Sequence, residues 1–183
     1  MSIGSNIKKY NEKIDKLRQN CLNIDNDDDF KELFKGVVIL FIKDIILLFN
    51  KLVNQHPEFK YSNSSEKISN LNILLDSLES DGILFGINCN DIIMRSYVNF
   101  VYSKYRDDMI EWNIENIKNI DENVIKNDVM YDSSTDNISE YLNIIPEIKI
   151  MCTYLKEKDY MKILFLLNNL NVIIDIYLLS KNK

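Results

Sequence analysis

The chain has 183 residues, a formal charge of −6, one histidine, three cysteines and no alanine. A chain of this length can bury a proper core without staples, and its acidity disfavours direct nucleic-acid binding, which needs a basic footprint. Cys21, Cys89 and Cys152 are odd in number and far apart, which excludes a disulfide framework or clustered zinc site and predicts small buried side chains in a reducing, cytoplasmic setting.

Helical spacing recurs along the chain, and period-two alternation is nearly absent. Ile3, Ile7, Tyr10, Ile14, Leu17, Cys21 and Ile24 alternate four- and three-residue steps. This narrow seam predicts a first helix, with Ser5 a candidate cap, lying in a groove of its own domain. The opening MSIGSNIKKYNEK has no apolar run of the kind a secretory signal needs. Next, DNDDDFKELFKG, Asp25 to Gly36, sets acids at the first, third and fifth places of a calcium loop. The sixth place requires glycine and is Phe30, and the twelfth requires a bidentate carboxylate and is Gly36. The acids are therefore expected to cap the following helix, with Asp29 and Glu32 as a capping box.

That helix is FKELFKGVVILFIKDIILLFNKLV, Phe30 to Val53. A membrane span needs about 20 continuous apolar residues, whereas the longest run here is Val37 to Ile42, followed at once by Lys43 and Asp44. Phe34, Val37, Val38, Phe41, Ile45, Leu48, Phe49 and Leu52 share one face, and Ile39, Leu40, Ile42, Ile46 and Leu47 widen it. The spacing predicts a central, mostly buried helix with Lys35, Lys43 and Asn50 away from its apolar centre. Asn54 to Ser65 reads as a loop broken at His56-Pro57. Ser64 or Ser65 caps a helix carrying Ile68, Leu71, Leu74, Leu75 and Leu78, which Asp81-Gly82 stops. Ile83 to Ile87 is the one candidate extended piece.

Asn90 or Asp91 opens a long helix with Met94, Tyr97, Val98, Val101, Tyr105, Met109 and Trp112 on one stripe, running towards Ile120. A short helix around Val124 to Met130, a polar loop from Asp132 to Asn137 and helices near Ile138–Ile145, Pro146–Lys156 and Asp159–Leu179 complete the chain. The last helix is apolar, but Asn168, Asn169, Asn171 and Asp175 interrupt it, so it is expected to be buried in protein, not lipid. The pattern predicts an all-α, single-domain bundle or globule over 1–183, with about seven or eight helices and little or no sheet.

No residue set for catalysis, cofactor binding or metal binding stands out, and a non-enzyme is expected. His56 sits before proline with no second histidine, and reads as solvent-exposed; phosphate-cradling glycine loops and a G-x-S-x-G elbow are missing. Charge placement is more telling. From Asp107 to Glu140, ten acids face only Lys118 and Lys126, a segment charge of −8 against −6 for the whole chain. Interleaved signs are the norm on a solvated face. Acids beside aromatic side chains suit a basic protein partner, because charge speeds encounter and aromatics anchor. The candidate partner-binding residues are Asp107, Asp108, Glu111, Trp112, Glu115, Asp121, Glu122, Asp128, Tyr131, Asp132, Asp136 and Glu140. Glu111 and Glu115 are expected on one helical face, and Trp112 is either an exposed anchor or a core member of the Tyr105–Met109 stripe.

The expectation is a cytoplasmic binding protein that neutralises a basic partner, most concretely an immunity protein blocking a bacterial nuclease toxin. A phage-encoded inhibitor of a host nuclease is close behind. An alternative of another class is a viral Bcl-2-like modulator of apoptosis or signalling, which size and the apolar central helix would suit. That family commonly carries Asn-Trp-Gly-Arg at its peptide groove, whereas this chain reads Glu111-Trp112-Asn113.

Overall fold

A computed structural model describes residues 3–56, 64–80, 83–84, 87–113, 115 and 153–182. Six α-helices occur among them: α1 (Ile3–Cys21), α2 (Asp27–Gln55), α3 (Ser64–Glu79), α4 (Cys89–Tyr97), α5 (Ser103–Ile110) and α6 (Glu157–Lys181). The fold is all-α, as the periodicity predicts. The count falls slightly short of seven or eight, and the helices expected between 124 and 156 lie outside the described residues. The candidate extended piece is a minimal antiparallel ladder of β1 (Ile83–Leu84) and β2 (Ile87–Asn88), pairing Ile83 with Asn88 and Leu84 with Ile87.

α2 starts where its sequence can satisfy its first free N–H groups. Asn26 has extended backbone (φ −130°, ψ 157°), and its side chain accepts the Asp29 N–H at 2.8 Å. In return Asn26 Nδ2 donates to Asp29 Oδ2 at 2.8 Å. The reciprocal cap is therefore Asn26–Asp29, three residues upstream of the expected Asp29–Glu32 pair. Asp27, Asp28 and Asp29 occupy the first turn, where negative charge meets the positive end of the helix dipole. The helix ends at His56, whose extended backbone (φ −126°, ψ 92°) is what a residue before proline prefers. His56 is half-buried, its ring edge-on to Tyr154 at 4.7 Å, which corrects the expectation of an exposed loop histidine.

α2 runs through two apolar clusters. One gathers Ile45, Phe49 and Leu52 with Leu71, Leu75 and Leu78 of α3 and Ile163 of α6. The other gathers Phe30, Phe34 and Val37 with Cys21, Met94, Tyr97 and the Leu170–Ile176 part of α6. Each fully buried side chain of this size removes roughly 1.5–3 kcal/mol of apolar exposure. Two parts of the sequence reading change here. Leu40 and Leu47 are exposed, so α2 keeps a solvent face despite its widened stripe. Lys35 is buried, its stem covered and its ammonium paired with Glu32 at 3.0 Å.

α6 lies antiparallel to α2. Lys181 near its end pairs with Asp27, and Lys162 near its start pairs with Asp44 at 2.6 Å. α6 is long and apolar enough to cross a membrane by length and composition, but half of its most apolar window is buried inside the fold. α1 runs parallel to α6: Tyr10 stacks on Phe165 with ring centroids 4.6 Å apart, and Ile14 and Cys21 are buried further along. The helix already begins at Ile3, so Ser5 lies inside it and is not the cap. Cys21 is a free, fully buried thiol whose pKa burial pushes up; Cys152 lies outside the described residues.

Between α4 and α5 the helical rod continues through a π-helical turn, Val98–Tyr102. It stops at Ile110, ten residues short of the expected Ile120. Trp112 adopts a left-handed backbone (φ 57°). Its N–H donates to Met109 O at 3.1 Å, and the next N–H, of Asn113, reaches back to Asp108 O at 2.8 Å. This paired closure is a Schellman stop, usually built on glycine.

Candidate functional site

The polar residues that interrupt α6 share a face, since Asn168, Asn171 and Asp175 are three and four positions apart. The rod of α4, the π turn and α5 packs over that face. Tyr97 Oη donates to Asn171 Oδ1 at 2.7 Å. Tyr102 Oη donates to Asp175 Oδ1 at 2.5 Å. Arg106 grips the same carboxylate with both edges of its fork, Nε to Oδ1 at 2.8 Å and Nη2 to Oδ2 at 2.9 Å, and its third arm reaches Asp107 at 2.8 Å. Asn168 Nδ2 donates to Met109 O at 2.7 Å, fastening the end of α5 to α6.

Residues 97 and 109 would stand ~18 Å apart along a straight helix, yet Tyr97 Oη meets Met109 Sδ at 3.9 Å. The π turn supplies the bend. Electrostatics tighten the network. Burial and the hydrogen bond to the Asp175 carboxylate push the Tyr102 hydroxyl up to about 12. Tyr97 rises further, mainly through burial. The hydrogen bond to Asp175 raises the Arg106 guanidinium above its ordinary value, against an opposing effect of burial. The groups of the network are hydrogen-bonded to one another.

Trp112 forms the second feature. Its indole stacks on Tyr10 (5.9 Å, planes 16° apart), which in turn stacks on Phe165, and indole Nε1 donates to Asn11 Oδ1 at 3.2 Å. Left-handed backbone at a bulky residue costs ~1–2 kcal/mol, and these contacts with α1 hold it there. Trp112 is thus half-buried against α1, neither a free anchor nor a continuation of the Tyr105–Met109 stripe. A cleft of about 270 Å³ opens beside it, bounded by α1, Ile110 and α6.

Of the predicted partner-binding residues, the structure brings Asp107, Asp108, Glu111 and Trp112 together at the end of α5. Asp107 and Glu111 are exposed, Asp108 is half-buried and Glu115 is exposed beyond the helix stop. Glu111 and Glu115 do not share the helical face assigned to them, because α5 ends before either. Asp121, Glu122, Asp128, Tyr131, Asp132, Asp136 and Glu140 lie outside the described residues. The sequence reading missed Tyr97, Tyr102, Arg106 and Asp175 as a unit. A signal existed: the three- and four-residue spacing of Asn168, Asn171 and Asp175 marks one polar stripe on an apolar helix, which demands polar partners. Among the described residues no cluster of three or more metal-ligating side chains occurs. No family model, curated protein or solved structure matches this chain.

Proposed function

We propose that the chain is a non-catalytic acidic binding protein that neutralises a basic protein partner, most concretely a cytoplasmic immunity protein directed at a nuclease toxin. The observation that carries this reading is the end of α5. Asp107, Asp108 and Glu111 crowd its C-terminus, and its last turn holds no basic residue. That end of a helix already bears partial negative charge, so each acid there costs roughly 0.3–1 kcal/mol where a lysine would contribute the same amount. Arg106 offsets part of the charge at Asp107, but Asp107 keeps a side chain 89% exposed. Local rules broken in this way are expected where function is served. A concentrated negative potential beside the half-buried Trp112 suits the electropositive cleft of a nuclease, because complementary charge steers encounter. A phage inhibitor of a host nuclease would use the same chemistry.

Cross-linking with affinity capture from source cells, read by mass spectrometry, tests this. The expected result is a partner with net positive charge, cross-linked within Asp107 to Glu140. A neutral or acidic partner, or cross-links confined to α2 and α3, would overturn the reading.

A further inference from the structure

The cleft beside Trp112 has a chemistry that the partner reading does not use. Asp15 and Arg18 stand one turn apart on α1, at the spacing where opposite charges ordinarily pair. Here neither side chain forms an ion pair or hydrogen bond with any described residue. Both line the cleft instead. Its remaining wall is mostly apolar, from Ile14, Ile110 and Val172, with the Trp112 indole and Asn11 at its side. Asn168 also borders it. That residue is 97% buried, its Nδ2 is committed to Met109 O, and its Oδ1 has no hydrogen-bond partner. Buried polar atoms left without partners are rare in folded proteins and point to something that completes them.

We infer that this cleft binds a small zwitterion with an apolar body, a free α-amino acid of aromatic or large aliphatic side chain being the simplest. Arg18 takes the carboxylate, to which its planar fork is matched. Asp15 takes the ammonium, and the spare Asn168 oxygen, closed off from solvent in this structure, accepts one of its protons once the side chain turns toward the cleft. The side chain lies on the Trp112 indole and against Ile110 and Val172, as ligand bodies do in apolar pockets with a few placed polar groups. The strained backbone of Trp112 fits this role, since its left-handed turn and its bond to Asn11 hold the ring over the cleft and not along α5. A free α-amino acid carries both charges on one carbon, within the reach of residues one helical turn apart.

Trp112 is the single tryptophan of the chain, so its fluorescence reports on the cleft directly. L-phenylalanine titrated into the full chain should change that emission saturably, with calorimetry under the same conditions registering the same affinity. Asp15→Asn and Arg18→Gln, both on a solvent-facing part of α1, should each weaken binding by about tenfold or more with unchanged circular dichroism. Phenethylamine, lacking the carboxylate, and 3-phenylpropionate, lacking the ammonium, should bind weaker by a similar factor. The inference fails if neither method detects phenylalanine or leucine up to their solubility limits. It fails equally if the singly charged analogues bind as well as the zwitterion. Neither result bears on capture of a basic protein at the end of α5.

Discussion

Trp112 shows how one residue redirects the chain. Its apolar character and its three-residue step from Met109 make it look like the next member of a helical stripe, and no glycine marks a stop. The stop is enforced from a distance, by Tyr10, Asn11 and Phe165, which no local pattern around residue 112 reveals. Two substitutions separate strain from contact. Trp112→Ala keeps the unfavourable φ and loses the stack, whereas Trp112→Gly loses the stack but relieves the φ. Glycine should therefore be the less damaging by ~1 kcal/mol in urea unfolding, and equal losses would mean the left-handed turn carries no strain. Asp175 is the second decisive residue, gripped by Arg106 and Tyr102 at a position only 11% exposed. Asp175→Asn removes the charge and leaves the guanidinium short of its partner. A loss of ~2–3 kcal/mol is expected on the scale of charge-assisted hydrogen bonds, and under ~0.5 kcal/mol would show that solvent replaces the pair.

At the scale of elements, α2 and α6 were legible because their apolar spacing persists over many turns, and their interrupting polar residues were visible against it. What was not legible is which polar residue sits inside. Lys35 is buried and Leu40 exposed because neighbouring helices decide the buried arc, and α6 covers a sector that the sequence of α2 cannot announce. The cap of α2 shifted by three residues for a simpler reason: four of the five residues from Asp25 to Asp29 are acids and the other is Asn26, so several starts satisfy the same rule, and the asparagine that closes the reciprocal pair wins. Asn26→Ala should cost ~1 kcal/mol. Gly36, on the exposed side of α2, meets nothing within 4 Å of a Cβ placed there. Gly36→Ala should stabilise by ~0.5–1 kcal/mol, since glycine loses the most backbone freedom in a helix; destabilisation would show that this face is occupied. The short α5 carries the opposite logic, because Glu111→Lys should strengthen it by ~0.3–1 kcal/mol.

For the whole molecule, the raised Tyr97 and Tyr102 hydroxyls set a limit at high pH. A tyrosine with folded pKa above its ordinary value of about 10 stabilises the fold fully below that value and loses its contribution as pH rises through the folded pKa, about 12 for Tyr102. Thermal stability should therefore fall between pH 10 and 12, and less steeply in Tyr102→Phe; parallel curves would contradict the network. The fold class was readable in the sequence because every segment repeats the same three-to-four spacing. The candidate site was readable as charge and as the polar stripe of α6, but not as geometry, which depends on α1, α5 and α6 meeting across the chain. Stopped-flow association of the captured partner, followed from about 0.05 to 0.5 M salt, measures the reach of the α5 acids directly. The rate should drop by about tenfold or more across that range, and Glu111→Lys should lower it at low salt while raising the chain's own stability. A rate indifferent to both salt and the reversed charge would contradict acidic steering at the end of α5.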